Sequence, residues 1–143
     1  MIRIAVTDPA TRVRSALRMR LELEPDMSVV AVCASLDCAE RALATLAVDV
    51  LVVDLVGADV AGDPAAARLV ASTTACGVVV LSLDDRLSRL AGPRVQFVSK
   101  YAGESAVVDA VRRAHGLVPR QRGADVEHAS RSQAGGDASA PTT

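Results

Sequence analysis

Residues 50–53 read VLVV and residues 78–81 read VVVL, apolar at every position. A strand that is apolar on both faces cannot sit on the surface of a sandwich or barrel, where one face meets water and polar residues alternate with apolar ones. It belongs in a parallel sheet covered on two sides. Five apolar runs are spaced along the chain: IRIAV (2–6), MSVVAVC (27–33), VDVLVV (48–53), GVVVLS (77–82) and VQFVS (95–99). The second to fourth are expected to be buried on both faces.

Helical patterns fill the gaps. Residues 10–23 put Val13, Leu17 and Leu21 on one face. Ser35 is a cap for a helix carrying Ala39, Ala42, Leu43 and Leu46. Asp63-Pro64 opens a short helix with Ala66, Leu69 and Val70, and Asp84 or Asp85 opens a brief one with Leu87 and Leu90. The last helix, near 104–115, lines up Val107, Val111 and Ala114, with Gly116 as its stop. Five strands alternating with five helices predict an α/β fold. Right-handed crossovers make it an open, doubly wound parallel sheet. With one Phe, one Tyr and no Trp, the core has to be built from Val, Leu and Ala.

At 143 residues the chain suits one domain. Residues 117–143 are rich in Ser, Ala, Gly, Arg and Pro and nearly free of large apolar side chains, so they are expected to form a disordered tail behind a domain of residues 1–116. A net charge of −1 argues against a direct nucleic-acid or membrane-surface partner, both of which need clustered positive charge. The apolar runs are far shorter than the roughly 20 residues of a membrane span, and the N-terminus does not read as a signal peptide, so a cytoplasmic protein is expected.

Several chemistries lack their residues. Thr7-Asp8-Pro9-Ala10 is no glycine-rich dinucleotide loop, and after Gly57 and Gly62 a phosphate loop would need Lys where Asp63 stands. No Ser-His-Asp or Cys-His constellation is visible, as His115 and His128 lie at or beyond the last helix. Cys33, Cys38 and Cys76 read as buried thiols rather than a zinc site, because third and fourth ligands are missing.

In doubly wound folds the site lies beyond the carboxyl ends of the strands. There the first strand ends on Thr7-Asp8, the third on Asp54, the fourth on Ser82 and the fifth on Ser99-Lys100. Two carboxylates, a hydroxyl and an ammonium therefore meet at one edge. Paired carboxylates suit a hard divalent cation such as Mg²⁺. A carboxylate beside that cation can attack a phosphoryl donor, while the hydroxyl and the lysine hold the phosphoryl oxygens. Asp8 before Pro9 also reads as a plain helix start.

MIRIAVTD, VRSALRMRLELEPDMSVVAV, DVLVVD, VVVLS and FVSK, in this order, resemble the response-regulator receiver domains of the nitrate-responsive type, which normally carry a LuxR-like output domain. The resemblance covers residues 2–116. It implies a flavodoxin-like (βα)5 sheet of strand order 2-1-3-4-5 and a place in bacterial two-component signalling. Asp54 would be the phosphoacceptor, Ser82 and Lys100 would contact the phosphoryl group, and Phe97 would be the switch aromatic. Asp8, Asp54 and the carbonyl of Val56 would hold Mg²⁺. The implied partners are a sensor histidine kinase and either a partner protein or a second copy of the chain. No enzymatic activity of its own is implied.

The departures are specific. Where the family has two adjacent acids after the first strand, the gapless alignment puts Asp8 and Pro9. Shifting by one residue would align Asp8 with the second acid but would put Val13, Arg14 and Glu24-Pro25-Asp26 out of register. Without the second acid, Mg²⁺ binding should weaken about tenfold or more. The family's Met-Pro is missing after Asp54 and the span from Ser82 to Lys100 is shorter than usual; a receiver without an output domain is expected. Two readings stay open: a phosphorylation-controlled module, and a pseudo-receiver that docks independently of phosphate. A doubly wound protein that binds a small molecule at the same edge is a more distant third.

Overall fold

The computed structural model describes residues 1–54, 76–82 and 94–117. Five strands, β1 (Ile2–Thr7), β2 (Met27–Cys33), β3 (Val50–Asp54), β4 (Gly77–Ser82) and β5 (Val95–Ser99), form one parallel sheet of order β2-β1-β3-β4-β5. Helices α1 (Thr11–Glu22) and α2 (Leu36–Thr45) follow β1 and β2. A single 3₁₀ turn (Lys100–Ala102) leads from β5 into α3 (Glu104–Leu117). This is the flavodoxin-like, doubly wound arrangement. The expected helices at 63–70 and 84–90, Val56 and the tail from residue 118 lie outside the described residues.

Strand alternation divides the core into two clusters. Val50 and Val52 join Ile4, Val6, Leu21, Val79, Leu81, Val107 and Val111 under α1 and α3. Leu51 and Val53 join Ala5, Cys33, Ala39, Val78 and Val80 on the α2 side. Every residue of β3 and β4 is buried. The expectation fails for β2, where Val30 and Val32 are about two-fifths exposed. The reason is its place at the sheet edge, which leaves it one neighbouring strand and incomplete cover.

The close packing of α3 on β4 depends on Gly77. A Cβ there would stand 2.6 Å from the carbonyl oxygen of Ala114. Gly103, at φ 87°, makes the turn into α3 that a residue with a side chain enters only under strain. Gly116 does not stop α3, which continues to Leu117. Asp8 does not cap α1 either. The N-cap is Ala10, without a side-chain bond, and Asp8 Oδ1 accepts from the Ala10 N–H at 2.7 Å in the preceding turn. Ser35 caps α2 as expected, its hydroxyl accepting from the Cys38 N–H at 3.2 Å.

Candidate functional site

Register brings the site together. Thr7 pairs with Val53 across β1 and β3, so Asp8 comes level with Asp54. Asp54 pairs with Leu81 and Ser82 with Ser99, which sets Ser82 and Lys100 at the same sheet edge. Asp8 is 1% exposed, Asp54 5% and Ser82 2%. Lys100, leaving β5 in the 3₁₀ turn, places its ammonium against Asp54 Oδ2 as an ion pair. Asp8, Asp54 and Lys100 are thus assembled from three strand ends, and Ser82 is buried at the end of β4 on the same sheet edge. Phe97 lies apart, partly buried against the α2-side cluster.

A buried carboxylate oxygen without a donor is costly, at about 1–3 kcal/mol or more when charged. Here Asp8 Oδ2 and Asp54 Oδ1 have no hydrogen-bond partner. Burial and then the adjoining Asp8 carboxyl push the Asp54 carboxyl up to about 6, against the pull of Lys100. Such an arrangement suits a ligand that supplies positive charge.

Asp8 and Asp54 fit a divalent cation in that respect: two hard oxygens are buried and unsatisfied. The fit is sparse. Pro9 occupies the next position, and among the described residues no three His, Cys, Asp or Glu side chains cluster tightly enough to hold a metal by themselves.

Two features were missed by sequence reasoning. Arg14 turns back over the β1–α1 loop, donating from Nη1 to the carbonyls of Asp8 (2.8 Å) and Pro9 (3.2 Å) and from Nη2 to the Thr11 hydroxyl (3.0 Å). It fixes the backbone that carries Asp8. A cavity of about 390 Å³ also runs between α1 and α3, from Asp54 and Lys100 past Leu17 and Val107 to Arg20. Neither leaves a pattern in the sequence, because α1 carries four arginines and helical spacing does not say which one folds back.

Solved structures share this fold. RcsB of Salmonella enterica serovar Typhimurium, bound to promoter rprA in the presence of the phosphomimetic BeF3⁻, superposes with a TM-score of 0.66 at 18% identity, over 80% of this chain and 98% of that one. The response regulator domain of Thermotoga maritima CheB gives 0.62 at 22% identity, over 83% and 99%. The receiver domain of the putative response regulator NarL of Mycobacterium tuberculosis gives 0.64 at 20% identity, over 80% and 96%. The chain has the fold of a response-regulator receiver domain. No protein-family model matches it, and no curated protein sequence does. Of the longer chain in an RcsB–DNA complex, the receiver-like chain covers 64%. Among its described residues no helix is long and apolar enough to cross a membrane.

Proposed function

We propose that the chain is a cytoplasmic receiver module of two-component signalling, in which Asp54 accepts a phosphoryl group from a sensor histidine kinase. One observation carries this reading: Asp8 Oδ2 and Asp54 Oδ1 are buried without a hydrogen-bond partner at the sheet edge where Asp54 Oδ2 pairs with the Lys100 ammonium. An Asp54 oxygen would bond to phosphorus as the bond to the donor's leaving group breaks. Lys100 would move from the carboxylate to a phosphoryl oxygen, and the Ser82 hydroxyl would bond to another. Mg²⁺ held by Asp8, Asp54 and the Val56 carbonyl would offset the charge of the carboxylates and of the incoming phosphoryl oxygens. The change would be read by a partner protein or a second copy of the chain, with Phe97 as the switch aromatic. The signalling unit would span residues 1–117, one residue past the expected boundary because α3 reaches Leu117, and precede a tail from 118 to 143.

Pro9 favours a second reading. With one acid where the family has two, a pseudo-receiver would dock in the same way whatever the state of Asp54. Acetyl phosphate with Mg²⁺, followed by intact mass, separates the two. The first reading expects a gain of about 80 Da, the mass of one phosphoryl group, that disappears in Asp54→Asn. No gain at saturating donor leaves the docking reading, and an equal gain in Asp54→Asn removes Asp54 from the chemistry.

A further inference from the structure

The phosphoryl reading leaves two thiols unused at the corner between β2 and α2. Cys33 ends β2 and is 2% exposed. Cys38 lies in the first turn of α2, half-buried, and so departs from the expectation of a buried thiol. The two side chains belong to one apolar cluster, and burial first, then the adjoining Cys38 thiol, push the Cys33 thiol up to about 12, which leaves Cys38 as the more reactive of the two. The Ser35 cap holds the backbone between them, because the Cys38 N–H donates to its hydroxyl. A metal would need further ligands, and among the described residues none joins these two sulfurs. The pair also touches the site edge, since the Cys33 carbonyl accepts the Asp8 N–H at 3.1 Å.

We propose that Cys33 and Cys38 are a modification site, a dithiol that hydroperoxides close to a reversible disulfide, and that closure acts on Asp8 through the Cys33 carbonyl. Accessibility assigns the roles. The Cys38 thiolate meets the peroxide first; its sulfur bonds to one peroxide oxygen as the O–O bond breaks, leaving a sulfenic acid and releasing an alcohol or water. The Cys33 sulfur then bonds to the Cys38 sulfur as the S–O bond breaks and water leaves. Two thiols lose two electrons in total, and one hydroperoxide is reduced. A dithiol reductant reverses the step. Cys76 stands just before β4, at the opposite end of the parallel sheet, and is buried, so it serves as the internal control. This inference holds whether or not Asp54 takes a phosphoryl group.

The test uses the full folded chain, reduced and then exposed to hydrogen peroxide. The expected product is lighter by about 2 Da, the two hydrogens of a disulfide. It retains one alkylatable thiol after denaturation and returns to the starting mass with dithiothreitol. Cys76→Ser should still lose the 2 Da and Cys38→Ser should not; Cys38 is half-buried, so that variant keeps the fold. The Asp8 amide resonance should move on oxidation of the parent chain and stay put in Cys38→Ser. A gain of about 16 or 32 Da on Cys38 without the loss, or no reaction at all, overturns the disulfide. A disulfide that leaves the Asp8 amide unmoved overturns the coupling.

Discussion

Asp54 carries a cost in the ligand-free fold, and the sign of that cost is measurable. Its carboxyl is pushed up to about 6, from an ordinary value near 4. Stability from the protonated form is therefore fully present below pH 4 and lost as pH rises through about 6. At neutral pH a neutral isostere should be better tolerated. Asp54→Asn is predicted to raise stability at pH 7.5 by about 1–2 kcal/mol, less than the full shift implies because solvent screens part of it. The gap should close by about pH 4, followed by thermal melts across that range. The same shortage of positive charge bears on Pro9. Pro9→Asp should tighten Mg²⁺ binding about tenfold or more, read by calorimetric titration; unchanged affinity would refute the gapless placement of Asp8 and Pro9. Asp54 and Lys100 were legible because each ends an apolar run, where a charge has no role in the core. Arg14 was not legible, because its role lies in a backward turn onto the Asp8 and Pro9 carbonyls rather than in any spacing.

At the scale of elements, what was legible followed burial. The runs at 50–53 and 78–81 became wholly buried strands, as apolar residues on both faces require. MSVVAVC looked the same on paper and became an edge strand with Val30 and Val32 partly exposed. Composition does not record how many neighbours a strand has. Helix ends were the least legible part: Asp8-Pro9 had the residues of a cap, yet α1 begins at Thr11, after an extra turn held by the Asp8 side chain. The contact between α3 and β4 was also invisible, since only coordinates bring Ala114 over Gly77. Gly77→Ala should cost about 1–3 kcal/mol, as overpacking of a closed contact does, measured by denaturant unfolding. An unchanged midpoint would mean that α3 shifts without strain.

Across the whole molecule, strand order does the assembling. Asp8, Asp54 and Lys100 are far apart along the chain, and the order β2-β1-β3-β4-β5 makes β1 and β3 neighbours and puts β5 one strand beyond β4. Helix α3 is tied back to the β2 entrance by Arg112, which donates to Glu24 at 2.8 Å and to Asp26 at 3.1 Å. The Glu-Pro-Asp stretch that helped set the alignment is thus also a tether. The claim on which the account depends is that two carboxylates share one buried edge beside one ammonium. Titrating the Asp54 side-chain carbon by NMR, in the parent chain and in Asp8→Asn, tests it most directly. The account predicts a midpoint near 6 in the parent chain, lowered in Asp8→Asn and lowered again when Mg²⁺ is added to the parent. A midpoint near 4 that neither Asp8→Asn nor Mg²⁺ moves would contradict it.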